Sequence, residues 1–120
     1  MAKKLPPVPA AIARNHPDIW HAYDKLGAAA AAAGPLGLRE RRLVKLALAI
    51  GAGSEGAVHS HTRRGLAEGV PADALRQAAL LAITTLGFPR AAAALTWIDD
   101  VADARAKSAG PKKAKRKTRR

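Results

Sequence analysis

The sequence predicts an all-α protein. Thirty of its 120 residues are alanine, the best helix former, whereas aromatic residues make up only 3% of the chain. Valine, isoleucine and the aromatic residues that strands favour are sparse. A core built mainly from small side chains favours closely packed helices. A chain of this length accommodates one domain at most.

Glycine, proline and charge divide the chain into three predicted parts. Clustered prolines within residues 1–14 disfavour helix and predict an extended N-terminal arm. Residues 15–106 are predicted to form one helical domain. Residues 107–120 contain eight Lys or Arg and no acid. We expect this basic tail to be disordered, because its charges repel one another and it has almost nothing apolar to bury.

About five helices are predicted in the central region. Asn15 and Ser54 are suitable N-terminal caps, and Gly69 is a suitable stop. The second predicted helix ends in LVKLALAI, which is apolar almost all round, so its second half should be buried. The predicted helices cover residues 15–33, 36–50, 54–68, 72–86 and 90–105.

Composition excludes several classes of function. The chain has no cysteine, so disulfides, thiol nucleophiles and thiolate metal sites are ruled out. It has neither a segment of signal-peptide character nor eighteen uninterrupted apolar residues, which predicts a cytoplasmic protein without a membrane partner. The net charge of +12 belongs mainly to residues 107–120, since residues 1–106 have 13 basic and 9 acidic side chains. Binding of nucleic acid or acidic surfaces by the tail is therefore interpreted as an accessory property.

The stretch GSEGAVHSHTRR, residues 53–64, holds the candidate functional residues. On a helix His59 and His61 lie about 200° apart, so they cannot chelate one metal ion, and no metal or cofactor is predicted. His61 shares a face with Val58 and Leu66, which should meet other helices. If His61 is buried there, its pKa should fall.

Two interpretations of this helix stay open. In the first, His61 is a partly buried imidazole that moves a proton, and Glu55 with His59 forms a second acid–base pair. In the second, His61 is a hydrogen-bonded core histidine, and Glu55, His59 and Arg63 form a solvated charged stripe. Arg42, on the preceding predicted helix, is expected to be a solvated helix charge.

The order of features in residues 38–95 resembles the carboxymuconolactone decarboxylase family, which includes the alkylhydroperoxidase branch. An apolar helix, a glycine break, a His-bearing helix ending in A-E-G, a P-x-D-A-L helix and a G-F-P turn follow in that order. The resemblance implies a compact helical bundle of the alkylhydroperoxidase-like type. It also implies a homo-oligomer, either a trimer or a hexamer built from trimers.

The resemblance also bears on chemistry. In the peroxidase branch the His-bearing helix carries two cysteines before the histidine, with a glutamate twelve residues before the first cysteine. If that histidine corresponds to His61, Ser54 and Ala57 occupy the cysteine positions and Arg42 the glutamate position. A peroxidase cycle needs a thiolate that attacks and a thiol that resolves, so this chain cannot run that cycle unaided.

The decarboxylase branch lacks those cysteines and has a histidine at the position of His61. Its acidic residues two and four positions earlier correspond to His59 and Ala57, and the local carboxylate is Glu55. The leading hypothesis is a small-molecule lyase or decarboxylase that uses His61, with the substrate undetermined. The alternative is a non-catalytic helical assembly or interaction protein whose basic tail binds nucleic acid or acidic surfaces.

Overall fold

A computed structural model describes residues 5–109, and these residues fold into helices without a strand. The predicted all-α class is confirmed. Within that range no helix is long and apolar enough to cross a membrane. The helices are α1 Pro7–Asn15, α2 Pro17–Ala32, α3 Leu38–Ala52, α4 Glu55–Ala67, α5 Ala72–Leu81, α6 Ile83–Leu86 and α7 Phe88–Ala109.

The described chain forms two compact units. The first extends to Leu36 and contains α1 and α2, which pack against each other. The second begins at Gly37 and contains α3 to α7. The predicted domain 15–106 therefore includes residues of both units.

The prediction of an extended arm is wrong for the residues that form α1. Pro6 is the N-cap, and Pro7 and Pro9 lie in the first turn, where backbone N–H groups have no intrahelical partner. The amide of Ala10 donates to the carbonyl oxygen of Pro6 at 2.9 Å and closes the first turn. Clustered prolines can therefore begin a helix, although they would break its interior.

Helix α2 begins one residue later than predicted. Asn15 ends α1, and His16 is the N-cap of α2, with its carbonyl accepting from the Trp20 amide at 3.0 Å. No residue of α2 is buried. Ile19, Tyr23 and Leu26 lie on one face of this helix, and their side chains are 63%, 64% and 68% exposed.

The core of the second unit lies where α3, α4, α5 and α7 meet. Small side chains let these helices approach closely, and larger ones fill the remaining space. Helix α3 buries Leu46 and Ile50, but Val44 and Leu48 are exposed, so only one face of its second half is buried as predicted. The other buried apolar residues of the cluster are Ala49, Val58, Val70, Leu75, Ala79, Ala82, Ala91, Ala94 and Ile98.

Helix α4 has the predicted boundaries. Ser54 is its N-cap, and the Ser54 hydroxyl accepts from the Ala57 amide at 3.2 Å. Gly69 follows the C-terminal end with a φ of 92°, a left-handed conformation that glycine adopts without strain. The capping residues in the sequence were sufficient to place this helix.

The predicted fourth helix is interrupted. Residue Ala82 separates α5 from α6, and the amides of Ala82 and Thr85 donate to carbonyls three residues earlier, at 3.1 Å in both cases. The second of these tighter turns contains two exposed threonines, Thr84 and Thr85, which are poor helix formers. Helix α7 is longer than predicted and continues to Ala109, three residues into the predicted tail. Residues 110–120 lie outside the described range.

Gly65 and Gly56 on α4 offer a paired test of this packing. A Cβ at Gly65 would lie 3.1 Å from Leu75 Cδ2 and 3.2 Å from Arg42 Cγ, whereas a Cβ at Gly56 meets nothing within 4 Å. We expect Gly65→Ala to lower the free energy of unfolding by about 1–3 kcal/mol through overpacking. Gly56→Ala should raise it by about 0.5–1 kcal/mol because it lowers the entropy of the unfolded chain. Denaturant unfolding of both variants measures the difference, and equal effects would contradict the close packing at Gly65.

Candidate functional site

Helices α3 and α4 bring Arg42 against His61. Arg42 Nη1 lies 2.7 Å from His61 Nδ1, although the two residues are 19 positions apart. The Arg42 side chain is only 12% exposed. Its expected role as a solvated helix charge is therefore wrong.

Glu68 holds the Arg42 guanidinium in place. Arg42 Nε donates to Glu68 Oε1 at 2.9 Å, and Arg42 Nη2 donates to Glu68 Oε2 at 2.7 Å. This two-point contact fixes the plane of the guanidinium as well as its position. Glu68 is the C-cap of α4, one residue beyond the helix that carries His61. Arg42 is therefore the central member of a hydrogen-bonded row of three side chains, Glu68, Arg42 and His61.

The contact with Arg42 assigns the tautomer of His61. An arginine guanidinium has only donors, so Nδ1 of His61 must accept the hydrogen bond. A neutral ring that accepts at Nδ1 carries its proton on Nε2. His61 therefore has a single N–H donor, and it is directed away from Arg42.

Burial and surrounding cations keep His61 neutral. The pKa of His61 is lowered from 6.5 to about 4, first by desolvation and then by the positive charges of Arg42, Arg64 and Lys45. Glu68 acts in the opposite direction. The predicted fall in the pKa of His61 is confirmed.

His59 lies on the other side of α4 and contacts a different helix. Its Nε2 is 3.0 Å from Asp100 Oδ2 on α7 and 3.9 Å from Glu55 Oε2, one turn earlier on α4. The predicted pairing of Glu55 with His59 is present. Asp100 is exposed and completes this group.

The three predicted catalytic residues thus fall into two groups. Glu55 and His59 are together, whereas His61 contacts Arg42 from α3, as the 200° separation on the helix required. Sequence reasoning missed Glu68 and Asp100 as partners because each is joined to the site by the packing of a second helix. A shallow open depression elsewhere runs along α1, and none of these residues lines it.

Comparison with known proteins identifies the family. The model of the carboxymuconolactone decarboxylase family matches residues 17–100. The chain belongs to this family. No curated protein and no solved structure gave a significant match.

Within the carboxymuconolactone decarboxylase family, the Arg42–His61 contact can be compared with the peroxidase branch. Arg42 aligns with the glutamate of that branch, and His61 aligns with its histidine. These two positions are in contact here, at 2.7 Å, with a cation in place of an acid. The cation favours a neutral imidazole, which a glutamate at the same place would oppose.

The titration of His61 tests this electrostatic arrangement. Arg42→Gln removes one cation and leaves Glu68 nearby, so the pKa of His61 should rise from about 4. Arg63→Gln removes an exposed cation that does not shift His61, and should leave the titration unchanged. Ring-specific NMR titration measures both variants.

The same shift predicts a dependence of stability on pH. Because the folded pKa is lowered, the unfolded chain binds more protons between about pH 4 and 6.5. The contribution of His61 to stability is therefore complete above pH 6.5 and is lost as the pH falls toward 4. His61→Gln should flatten this part of the stability profile. A wild-type His61 that titrates near 6.5 would contradict the assignment.

Proposed function

We propose that this carboxymuconolactone decarboxylase family member is a small-molecule lyase of the decarboxylase type. In this proposal His61 acts as a neutral hydrogen-bond donor through Nε2–H. The observation that carries it is the 2.7 Å contact in which Arg42 occupies Nδ1. A neutral imidazole donor stabilises a growing oxyanion without first having to lose or gain a proton.

The charges around His61 favour an anionic substrate. Arg42, Lys45 and Arg64 all act on His61 as positive charges, and Glu68 is the acid that acts on it. Glu68 is bound to Arg42 at both oxygens, so Lys45 and Arg64 supply the excess positive charge. These positive charges would attract the carboxylate of a substrate. Carboxylated lactones and β-keto acids both carry such a carboxylate.

The proposed reaction needs no thiol and no redox partner. The bond from the substrate carbon to its carboxylate breaks, its electron pair moves toward the lactone or keto oxygen, and carbon dioxide leaves. His61 Nε2–H donates a hydrogen bond to that oxygen as the negative charge grows. A proton from solvent then adds to the carbon, so the imidazole ends the cycle unchanged. Glu55 and His59 stay a separate predicted acid–base pair on the opposite face of α4.

Thiol peroxidase chemistry is not part of the proposal. The chain contains no cysteine. Ser54, aligned with one peroxidase cysteine, is the N-cap of α4, and its hydroxyl accepts a hydrogen bond from the Ala57 amide. Ser54 and Ala57, the two residues at the cysteine positions, therefore form the N-terminal cap of α4, and neither supplies a sulfur atom.

Carbon dioxide release tests the proposed reaction. Carboxylated lactones and β-keto acids are offered to the wild type, to His61→Gln and to His21→Gln. Loss of one oxyanion donor should lower kcat by about 10²–10³-fold in His61→Gln. His21→Gln, which removes an exposed imidazole of α2, should retain the wild-type rate. The proposal fails if none of the compounds is turned over and none shifts the His61 ring signals.

A second candidate function is assembly, which the exposed apolar face of α2 supports. Ile19, Tyr23 and Leu26 lie on one side of this helix and are mostly exposed in the single chain. We propose that a homo-oligomer, a trimer or a hexamer, covers this face, since burial of apolar area contributes about 25 cal/mol per Å². In this second candidate function the assembly serves as a scaffold without catalysis, and residues 107–120 bind nucleic acid or acidic surfaces through their charge.

Light scattering combined with dilution tests the assembly. Leu26→Glu should dissociate the oligomer, because it buries a charge in the proposed interface. Ala28→Glu introduces the same charge about 200° away on α2 and should dissociate it less. A wild-type monomer whose stability does not change on dilution would contradict the proposal.

A further inference from the structure

Three side chains of the second unit converge on one point between α4 and α7. Glu55 Oε2, His59 Nε2 and Asp100 Oδ2 lie within 4.8 Å of one another. We propose that these three residues bind one divalent metal ion of the zinc class. The site is separate from the Arg42–His61 contact and does not depend on the proposed lyase activity.

The distances from His59 to the two carboxylates are close to those in a tetrahedral site, and the three ligand atoms all lie within 4.8 Å of one another. Metal–ligand bonds of about 2.0–2.1 Å place neighbouring ligand atoms about 3.3–3.5 Å apart. His59 Nε2 lies 3.0 Å from Asp100 Oδ2 and 3.9 Å from Glu55 Oε2, on either side of that value. Glu55 and Asp100 are 58% and 51% exposed, so small rotations of their side chains can complete the geometry.

The two carboxylates of this group are not neutralised by a permanent cation. Across residues 5–109, neither Glu55 nor Asp100 contacts a lysine or an arginine, and both are paired only with the His59 ring. The neighbouring acids on α7 differ: Asp99 and Asp103 are both paired with Arg76. Among residues 5–109, an excess of negative charge beside an imidazole is therefore found where these three ligand atoms meet.

The ligand types select the class of ion. Magnesium and calcium prefer sites made of oxygen ligands alone, whereas an imidazole nitrogen suits zinc and its neighbours in the first transition row. Three protein ligands leave a fourth position for water. His59 would bind through Nε2, so its proton must move to Nδ1 when the metal enters.

His59 and His61 leave α4 in different directions and cannot share a metal ion. Asp100 is 41 residues from His59 and reaches it from α7, so the sequence around His59 does not reveal this third ligand. A bound ion would join the first turns of α4 to α7. Because it would bind the folded chain in preference to the unfolded one, it should raise the midpoint of thermal unfolding.

Zinc alone is the probe. The tag-free full-length protein is treated with a chelator, dialysed, and titrated with Zn²⁺ by calorimetry, and Co²⁺ is then used to report tetrahedral coordination by its visible absorption. We expect one ion per chain, with affinity lowered at least about tenfold in His59→Gln and in Asp100→Asn. Zn²⁺ should also shift the ring signals of His59 in NMR spectra and leave those of His61 in place.

Matched variants separate this site from other zinc binding. Asp103→Asn makes the same change of charge nearby on α7, and His21→Gln removes an imidazole from α2; both should bind zinc like the wild type. Circular dichroism of each apo variant checks that the helices are retained. The proposal is overturned if the wild type binds no zinc at millimolar concentration. It is also overturned if Asp100→Asn binds as tightly as Asp103→Asn, or if zinc shifts His61 rather than His59.

Discussion

The close approach of α4 to its neighbours at Gly65 is the constraint on which the site depends. A side chain at this position would press on Leu75 of α5 and on the stem of Arg42. Without one, Arg42 lies along α4 and reaches both His61 and Glu68. A glycine within a helix is entropically costly, and here that cost is offset by the close packing and by the Arg42–Glu68 ion pair that it allows.

Helix α4 separates two electrostatic environments. On the side of His61 the surrounding charges are mainly positive, and the ring is held neutral with a defined tautomer. On the side of His59 the ring lies between two carboxylates. The first side favours anions and the second favours cations. Two histidines only two residues apart therefore have different chemistry, because 200° of helix rotation places them against different partners.

A neutral histidine beside an arginine differs from the usual acid–base histidine. An imidazole that titrates near neutrality can exchange protons with its substrate. An imidazole with a pKa of about 4 is already neutral at pH 7, so it does not act as a cationic acid there. What the His61 ring offers a ligand is an Nε2–H hydrogen-bond donor with a fixed direction. Arg42 supplies that direction, and Glu68 in turn fixes Arg42, so each residue restricts the next.

The sequence by itself determined the helical class, the start of α4 at Ser54, its end before Gly69, and the opposite directions of His59 and His61. These features follow from propensity, capping and helix rotation, which act within a few residues. The same local rules misjudged α1, because prolines that break a helix interior are tolerated in its first turn. Only the tertiary structure decided the partners of the two histidines. Arg42 meets Glu68 across 26 residues, and His59 meets Asp100 across 41, and such pairs depend on how whole helices pack rather than on the residues beside them.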